Sequence, residues 1–171
     1  MIGALAALLL WSAPAVPPQE PPPSVAAVSA DQALLAAFDP LHSHVWRGAS
    51  ITDPGVVDEI TFERTAGGHA IRSVHTVNGG VYTGETLITF DRPSGQLISF
   101  YATNGGFYTT GTVKVLGPGQ FEFQQVVHGL DGVTEVRAQT TLTDDVYRIR
   151  SQHLINGQWV ETGGFDYRSV P

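Results

Sequence analysis

The sequence predicts an all-β fold, an up-and-down antiparallel β-barrel of about ten strands that follows one short helix. After residue 40, turn-forming residues recur at intervals of about thirteen residues, several of them as Asn-Gly or Asp-Gly pairs. Between these turns lie runs rich in Val, Ile, Thr, Phe and Tyr. No connection is long enough for a helical crossover, so successive strands are expected to pair antiparallel.

The composition allows one packed domain and excludes several functional classes. The chain has 171 residues, 42% of them hydrophobic, no cysteine and a formal net charge of -7. Without cysteine, disulfides, thiolate metal sites and cysteine nucleophiles are excluded. Nucleic acids and anionic membranes attract basic surfaces, so 9 Lys and Arg against 16 Asp and Glu argue against both partners.

Residues 1–15 have the pattern of a secretory signal peptide. The apolar run 2–11 is followed by Ser12-Ala13-Pro14-Ala15, with small residues at both positions that matter for cleavage. About ten apolar residues fall short of the roughly 20 that span a bilayer. We therefore expect export to the periplasm or the medium, with cleavage after Ala15 and no stable membrane insertion.

Two short segments precede the barrel. Residues 16–28 form a proline-rich linker, expected to be extended. Residues 29–40 predict a helix, with Ser29 and Gln32 as a capping box and Pro40 as its end. Its apolar side chains recur at helical spacing and are expected to cover an open end of the barrel; they are Leu34, Leu35 and Phe38.

The barrel domain occupies residues 41–171. Its predicted strands are 42–51, 57–65, 69–77, 81–90, 96–103, 106–115, 120–128, 133–142, 146–154 and 158–168. Several of them alternate apolar and polar residues, which indicates one buried and one solvated face. Ten strands close readily into a barrel wide enough for a ligand cavity, with a two-sheet sandwich as the alternative.

The first predicted strand carries a family resemblance. The run Leu41-His42-Ser43-His44-Val45-Trp46-Arg47-Gly48, with the meander after it, resembles lipocalin-like bacterial proteins of the calycin superfamily. The resemblance covers Leu41 to Arg168 and implies a barrel with a small-molecule pocket. It also implies that Trp46 packs across one barrel end beneath Arg168, in a cation–π contact.

Small residues on the inward faces predict room for a ligand, and they are Ser73, Thr86, Ser99, Ala138, Thr140 and Ser151. The predicted walls are aromatic, with Phe90, Tyr101, Phe123 and Tyr147, and His75 or His153 provides a polar anchor. Both histidines are in phase with apolar residues of their strands. Such a lining suits a small apolar molecule with one polar end. Binding of that molecule is the function that the sequence favours.

Other functions remain open at this stage. A barrel enzyme of the isomerase, lyase or cyclase kind would use interior groups such as Tyr101, Tyr108 and His128. An inward histidine also resembles that of the haem-binding nitrobindins, which implies haem as an alternative cofactor where none is otherwise expected. No metal site is expected, because His42 and His44 supply only two ligands. A ligand-free envelope protein is the last alternative.

Overall fold

The computed structural model describes residues 31–170, which form a closed barrel of ten antiparallel strands. The strands are β1 (Val45–Ser50), β2 (Val57–Thr65), β3 (Ala70–Val77), β4 (Tyr82–Asp91), β5 (Gln96–Thr103), β6 (Tyr108–Gly117), β7 (Gln120–His128), β8 (Val133–Thr143), β9 (Val146–Ile155) and β10 (Gln158–Val170). Each strand pairs with its neighbours in the chain, and β1 pairs with β10 to close the barrel. The predicted fold class is confirmed, and the sandwich is excluded.

The strand bounds follow the predicted ones closely except at the start. Three strands have the predicted bounds, namely β2, β5 and β7. The first begins at Val45 instead of residue 42, because the chain turns before it. His42 donates its backbone N–H to the carbonyl of Asp39, and Ser43 has a positive φ of 64°. A residue in that conformation does not continue a strand.

Two of the three Asn-Gly pairs adopt the positive φ angles of a tight turn, as the sequence predicts, whereas Asn104-Gly105 does not. Asn78 and Gly79 between β3 and β4 have φ values of 47° and 68°. Asn156 and Gly157 between β9 and β10 have 52° and 78°. Two successive positive φ angles define the turn whose twist matches antiparallel strands, and Asn and Gly tolerate it best.

A short helix, residues 31–41, closes one end of the barrel. Residues 31–35 are α-helical, and Ala36–Leu41 continue as a 3₁₀ helix. Pro40 therefore lies inside the helix and does not end it as predicted. Leu35, Phe38 and Leu41 are fully buried, and Leu34 packs beside them. The ring of Phe38 stacks on that of Phe121 with centroids 3.9 Å apart.

Polar contacts fix this helix to the hairpin between β2 and β3. Arg64 donates to the Asp39 carboxylate at 2.9 and 3.1 Å and to the Gln32 side-chain oxygen at 3.1 Å. The Gln32 amide in turn donates to the carbonyl of Gly68 at 3.2 Å. On the opposite side, Gly119 donates its N–H to the carbonyl of Ala37 at 2.8 Å. We call this the helix end of the barrel, and the other end the open end.

The expected stacking of Arg168 on Trp46 does not occur. Trp46 is buried at the helix end, where its indole N–H donates to the Leu41 carbonyl at 2.9 Å. In the register of β1 with β10, Trp46 lies opposite Ser169, so Arg168 points to the other face of the sheet. There Arg168 is exposed and pairs with Asp145 at 2.7 Å.

The predicted signal peptide, the linker and Ser29 lie outside the described residues. No helix within residues 31–170 combines the length and the apolar character needed to cross a membrane.

Candidate functional site

The interior of the barrel contains a cavity of about 260 Å³. Alternation along each strand sends every second side chain into it. The apolar part of its wall comes from β2, β4, β7, β9 and β10, with Ile60, Phe62, Ile88, Phe123, Ile149 and Phe165. Tyr147, which is fully buried, lies between Trp46 and Phe62, with ring centroids 5.9 and 5.7 Å away. Towards the helix end, therefore, the aromatic core continues without a break from the cavity.

The space exists because small residues occupy inward positions. Five of the six small residues expected inside lie on the cavity wall, namely Ser73, Thr86, Ala138, Thr140 and Ser151. The sixth, Ser99, is also buried, and its hydroxyl accepts from the Gln125 amide at 2.9 Å. Gln125 lines the cavity as well and accepts from Thr109 at 2.8 Å. These polar groups satisfy one another, as buried polar groups require.

A chain of hydrogen-bonded side chains lies in the open-end half of the barrel. His75 Nδ1 is 3.2 Å from Asp58 Oδ1, and His75 Nε2 is 3.1 Å from the Tyr101 hydroxyl. The Tyr101 hydroxyl is 2.6 Å from that of Tyr82. Tyr167 donates to the second Asp58 oxygen at 2.8 Å. We call these five residues the polar chain.

The polar chain requires a residue without a side chain at position 84. Gly84 lies directly opposite His75 in the pairing of β3 with β4. A Cβ atom built there would come 2.6 Å from His75 Nε2 and would also collide with the ring and hydroxyl of Tyr101. Glycine therefore leaves the space in which His75 and Tyr101 meet.

Burial differs along the polar chain. The Asp58 side chain is 4% exposed and that of His75 is 19% exposed, so solvent reaches the histidine more readily than the carboxylate. Burial raises the pKa of Tyr101 well above its ordinary value. Burial and the neighbouring Asp58 carboxylate do the same to the pKa of Tyr167. Both phenols therefore stay protonated at physiological pH.

Four of the six predicted ligand residues lie on the cavity wall: His75, Tyr101, Phe123 and Tyr147. The other two lie elsewhere. Phe90 packs against the buried cluster near the helix end. His153 continues the inward face of β9 beyond Ser151 but is not part of the wall, and burial lowers its pKa.

Three members of the polar chain were missing from the sequence prediction of the site: Asp58, Tyr82 and Tyr167. All three left a signal in the sequence. Tyr82 is in phase with Thr86 and Ile88 on β4. Asp58 is in phase with the inward residues Ile60 and Phe62, and Tyr167 is in phase with Phe165. A carboxylate in phase with buried apolar residues needs hydrogen-bond partners inside the barrel, and this marks Asp58 as a candidate site residue.

Two expected acid–base groups lie outside the barrel. Tyr108 is exposed, because Thr109 next to it takes the inward position on β6. The ring of His128 stacks on that of Tyr108 with centroids 4.6 Å apart, and its Nε2 is 3.0 Å from Thr110 Oγ1. Both rings therefore belong to the outer surface.

The predicted histidine pair gains no third metal ligand in the structure. His42 lies in the turn before β1, and its nearest acid is Asp39, at 3.5 Å. The ring of His44 lies beside Trp46 instead. Within residues 31–170, no group of three or more His, Asp or Glu residues is arranged to hold a metal ion.

Haem does not fit either interior histidine as it is placed. An axial ligand needs a free ring nitrogen aimed into the haem pocket. Both nitrogens of His75 are taken by Asp58 and Tyr101, and His153 lies off the cavity wall.

A second concavity lies on the outer face of β7 to β10. It measures about 370 Å³, and charged and amide side chains line it, among them Glu122, Arg137, Arg150 and Glu161. Oppositely charged and amide groups pair along this face, as between Gln152 and Glu161. The pattern is that of an ordinary solvated sheet surface.

No protein-family model and no curated protein matches the chain. Its function is therefore inferred from the interior.

Proposed function

We propose that the barrel binds a small, largely apolar molecule with one polar end. The observation that carries this proposal is the cavity itself, which has apolar and aromatic walls and, in its open-end half, a hydrogen-bonded group of polar side chains. Ligand sites typically combine these two features, the apolar wall for affinity and the few polar groups for orientation. A barrel meant only as a scaffold would fill the space with larger side chains.

The volume limits the size of the occupant. An engineered protein cavity of about 150 Å³ accepts benzene. The 260 Å³ cavity accordingly suits a molecule of roughly one or two rings, or a short branched chain. Because Leu35, Phe38 and Leu41 seal the helix end, we expect entry from the open end, past His75.

The proposal agrees with two expectations from the sequence. A closed ten-stranded barrel is compatible with the calycin resemblance of the first strand. A signal peptide at residues 1–15 would place the protein in the periplasm or the medium, where we propose that it acts as a carrier or scavenger.

Filling the cavity tests the binding function. Ala138 lies on the cavity wall between Phe123 on β7 and Ser151 on β9, so Ala138→Phe inserts a ring into the space. Uptake of an apolar two-ring fluorescent probe, followed by titration, is expected to fall at least about tenfold. Ala102→Phe on the outer face of β5 is the matched control, and it should leave uptake unchanged.

Circular dichroism must show both variants folded for this comparison to count. Binding of the probe by Ala138→Phe as tightly as by the wild type would place the probe outside the cavity. Failure of the wild type to bind any one- or two-ring apolar probe at micromolar concentration would overturn the proposal.

A second candidate function, acid–base catalysis, is favoured by the contact between Asp58 and His75. A carboxylate on Nδ1 fixes the tautomer of the histidine and makes Nε2 the basic nitrogen, which can accept a substrate proton once the Tyr101 hydroxyl moves away from it. Such a base could move a proton between carbon atoms of a bound ketone. Exchange of the α-protons of 2-tetralone in D₂O, followed by NMR, tests this. Equal exchange rates with wild type and His75→Gln would exclude it.

A further inference from the structure

The charges around the cavity point to the kind of polar end that it accepts. Asp58 is the one carboxylate on the wall of the cavity within residues 31–170, and no lysine or arginine of that part of the chain joins it there. The ion pair that Asp58 makes among these residues is with His75. With His75 neutral the polar chain has a charge of -1, and with His75 protonated its charge is zero. In neither state is the site positive.

The hydrogen bonds lead to the same conclusion. Asp58 can only accept, so Tyr167 and His75 Nδ1 both donate to it. With His75 neutral, Nε2 accepts from the Tyr101 hydroxyl, and the Tyr101 oxygen accepts from Tyr82. Every proton of the chain is then used inside it. What remains for a ligand are oxygen lone pairs, which bind a donor.

The walls next to the polar chain also suit a cation. The aromatic rings of Tyr101 and Tyr167 lie on the cavity wall beside the buried carboxylate. Aromatic faces attract an ammonium group, most strongly where water is excluded. A carboxylate end would instead face the Asp58 charge without a positive group to offset it.

We propose that the natural occupant is an apolar molecule with a protonated amine as its polar end, held by the polar chain, and that carboxylates of the same shape are rejected. The proposal rests on the binding function above. The cavity would thus bind apolar amines and discriminate against fatty and aromatic acids.

A matched series of ligands tests it on the wild-type protein. The compounds are 2-(2-naphthyl)ethylamine, 2-(2-naphthyl)ethanol and 2-naphthylacetic acid, which share one apolar body and differ in the charge of the polar end. Displacement of the apolar fluorescent probe gives their relative affinities. We expect the amine to bind at least about tenfold more tightly than the acid, with the alcohol between them.

The variant Asp58→Asn removes the charge while keeping the size of the side chain. In this variant the affinities for the amine and the acid should differ by no more than about threefold. The affinity for the alcohol should stay nearly unchanged, which also shows that the cavity is intact. Asp145→Asn removes the same charge from the outer surface at the helix end. This control should keep the wild-type ratio.

The outcomes distinguish the two proposals. If the acid binds the wild type as tightly as the amine, the amine proposal is overturned and the binding function stands. If none of the three compounds displaces the bound probe, the amine proposal is overturned, while the binding function, which the probe itself tests, stands. A wild-type ratio that persists in a folded Asp58→Asn protein would also overturn the amine proposal.

Discussion

Replacing Gly84 with alanine tests whether the polar chain is built as the structure shows. The new methyl group would lie 2.6 Å from His75 Nε2 and would overlap the Tyr101 ring and hydroxyl. Both neighbours are side chains, so they can rotate away, but doing so breaks their hydrogen bond. The substitution adds a single carbon at a position where glycine's backbone freedom is not needed.

The expected cost follows from two opposing effects. Overpacking a filled interior costs about 1–3 kcal/mol. Alanine in a strand also regains about 0.5–1 kcal/mol that glycine loses in backbone entropy. The net loss is about 1–2 kcal/mol in the free energy of unfolding. For a domain of this size that corresponds to a fall of about 3–8 °C in melting temperature.

Thermal melting, together with urea unfolding, measures this effect. The matched control is Gly117→Ala at the end of β6, where the nearest atom to a new Cβ would be 3.7 Å away. That variant should melt at or above the wild-type temperature. In the variant Tyr101→Ala, most of the obstruction is gone, so adding Gly84→Ala there should cost clearly less than in the wild type.

A Gly84→Ala protein as stable as Gly117→Ala, with unchanged affinity for the amine ligand, would refute this reasoning. His75 and Tyr101 would then not meet over position 84. If Gly84→Ala lowers the free energy of unfolding equally with and without the Tyr101 side chain, the contact with Tyr101 is refuted, and the loss of stability has another packing cause.

Three further predictions concern the rest of the chain. Phe38→Ala should lower the free energy of unfolding by about 3–5 kcal/mol in urea titrations, since it removes the ring stacked on the barrel core, and Leu34→Ala, which is less buried, should cost less. Burial lowers the pKa of His42, so this histidine binds a proton more readily in the unfolded chain than in the folded one. The free energy of unfolding therefore decreases as the pH falls below about 6.5. His42→Gln should therefore lose less stability than the wild type between about pH 7.5 and 5.5, measured by the same titrations. N-terminal sequencing of exported protein should begin at Val16, whereas a chain that retains residues 2–11 in the membrane fraction would contradict the signal-peptide prediction.

The fold could be predicted from the sequence because the signals for it are local. A hairpin is specified by a few turn residues, and Asn78-Gly79 and Asn156-Gly157 adopt the positive φ angles that their residue types favour. Alternation within one strand then determines which face is buried, as with Tyr147 and Ile149 on β9. Closure into a barrel rather than a sandwich depends on the pairing of β1 with β10, which no local pattern specifies.

The site could be predicted only in part because its contacts are not local. His75 and Tyr101 were expected inside from the pattern of their own strands. Their contact depends on the alignment of β3 with β4 and of β4 with β5, to which neither strand alone gives a clue. The predicted contact between Trp46 and Arg168 was wrong for the same reason, because a shift of one residue in register decides whether Arg168 points into the barrel or out of it.

Two glycines show how the register creates the site. Asp58 on β2 and Tyr167 on β10 hydrogen bond across the intervening strand β1, although they are 109 residues apart in the chain. The β1 residue opposite both is Gly48, where an added Cβ would lie 2.9 Å from the Tyr167 Cα and would collide with backbone of β10. Gly84 plays the corresponding part between His75 and Tyr101. In both places the hydrogen-bonded link crosses a strand at a glycine. At Gly84 the absence of a side chain leaves room for His75 and Tyr101, and at Gly48 it allows the close approach of the β10 backbone. In the sequence, Gly48 stands out only as the glycine two residues after Trp46, and its function becomes visible once the strands are aligned.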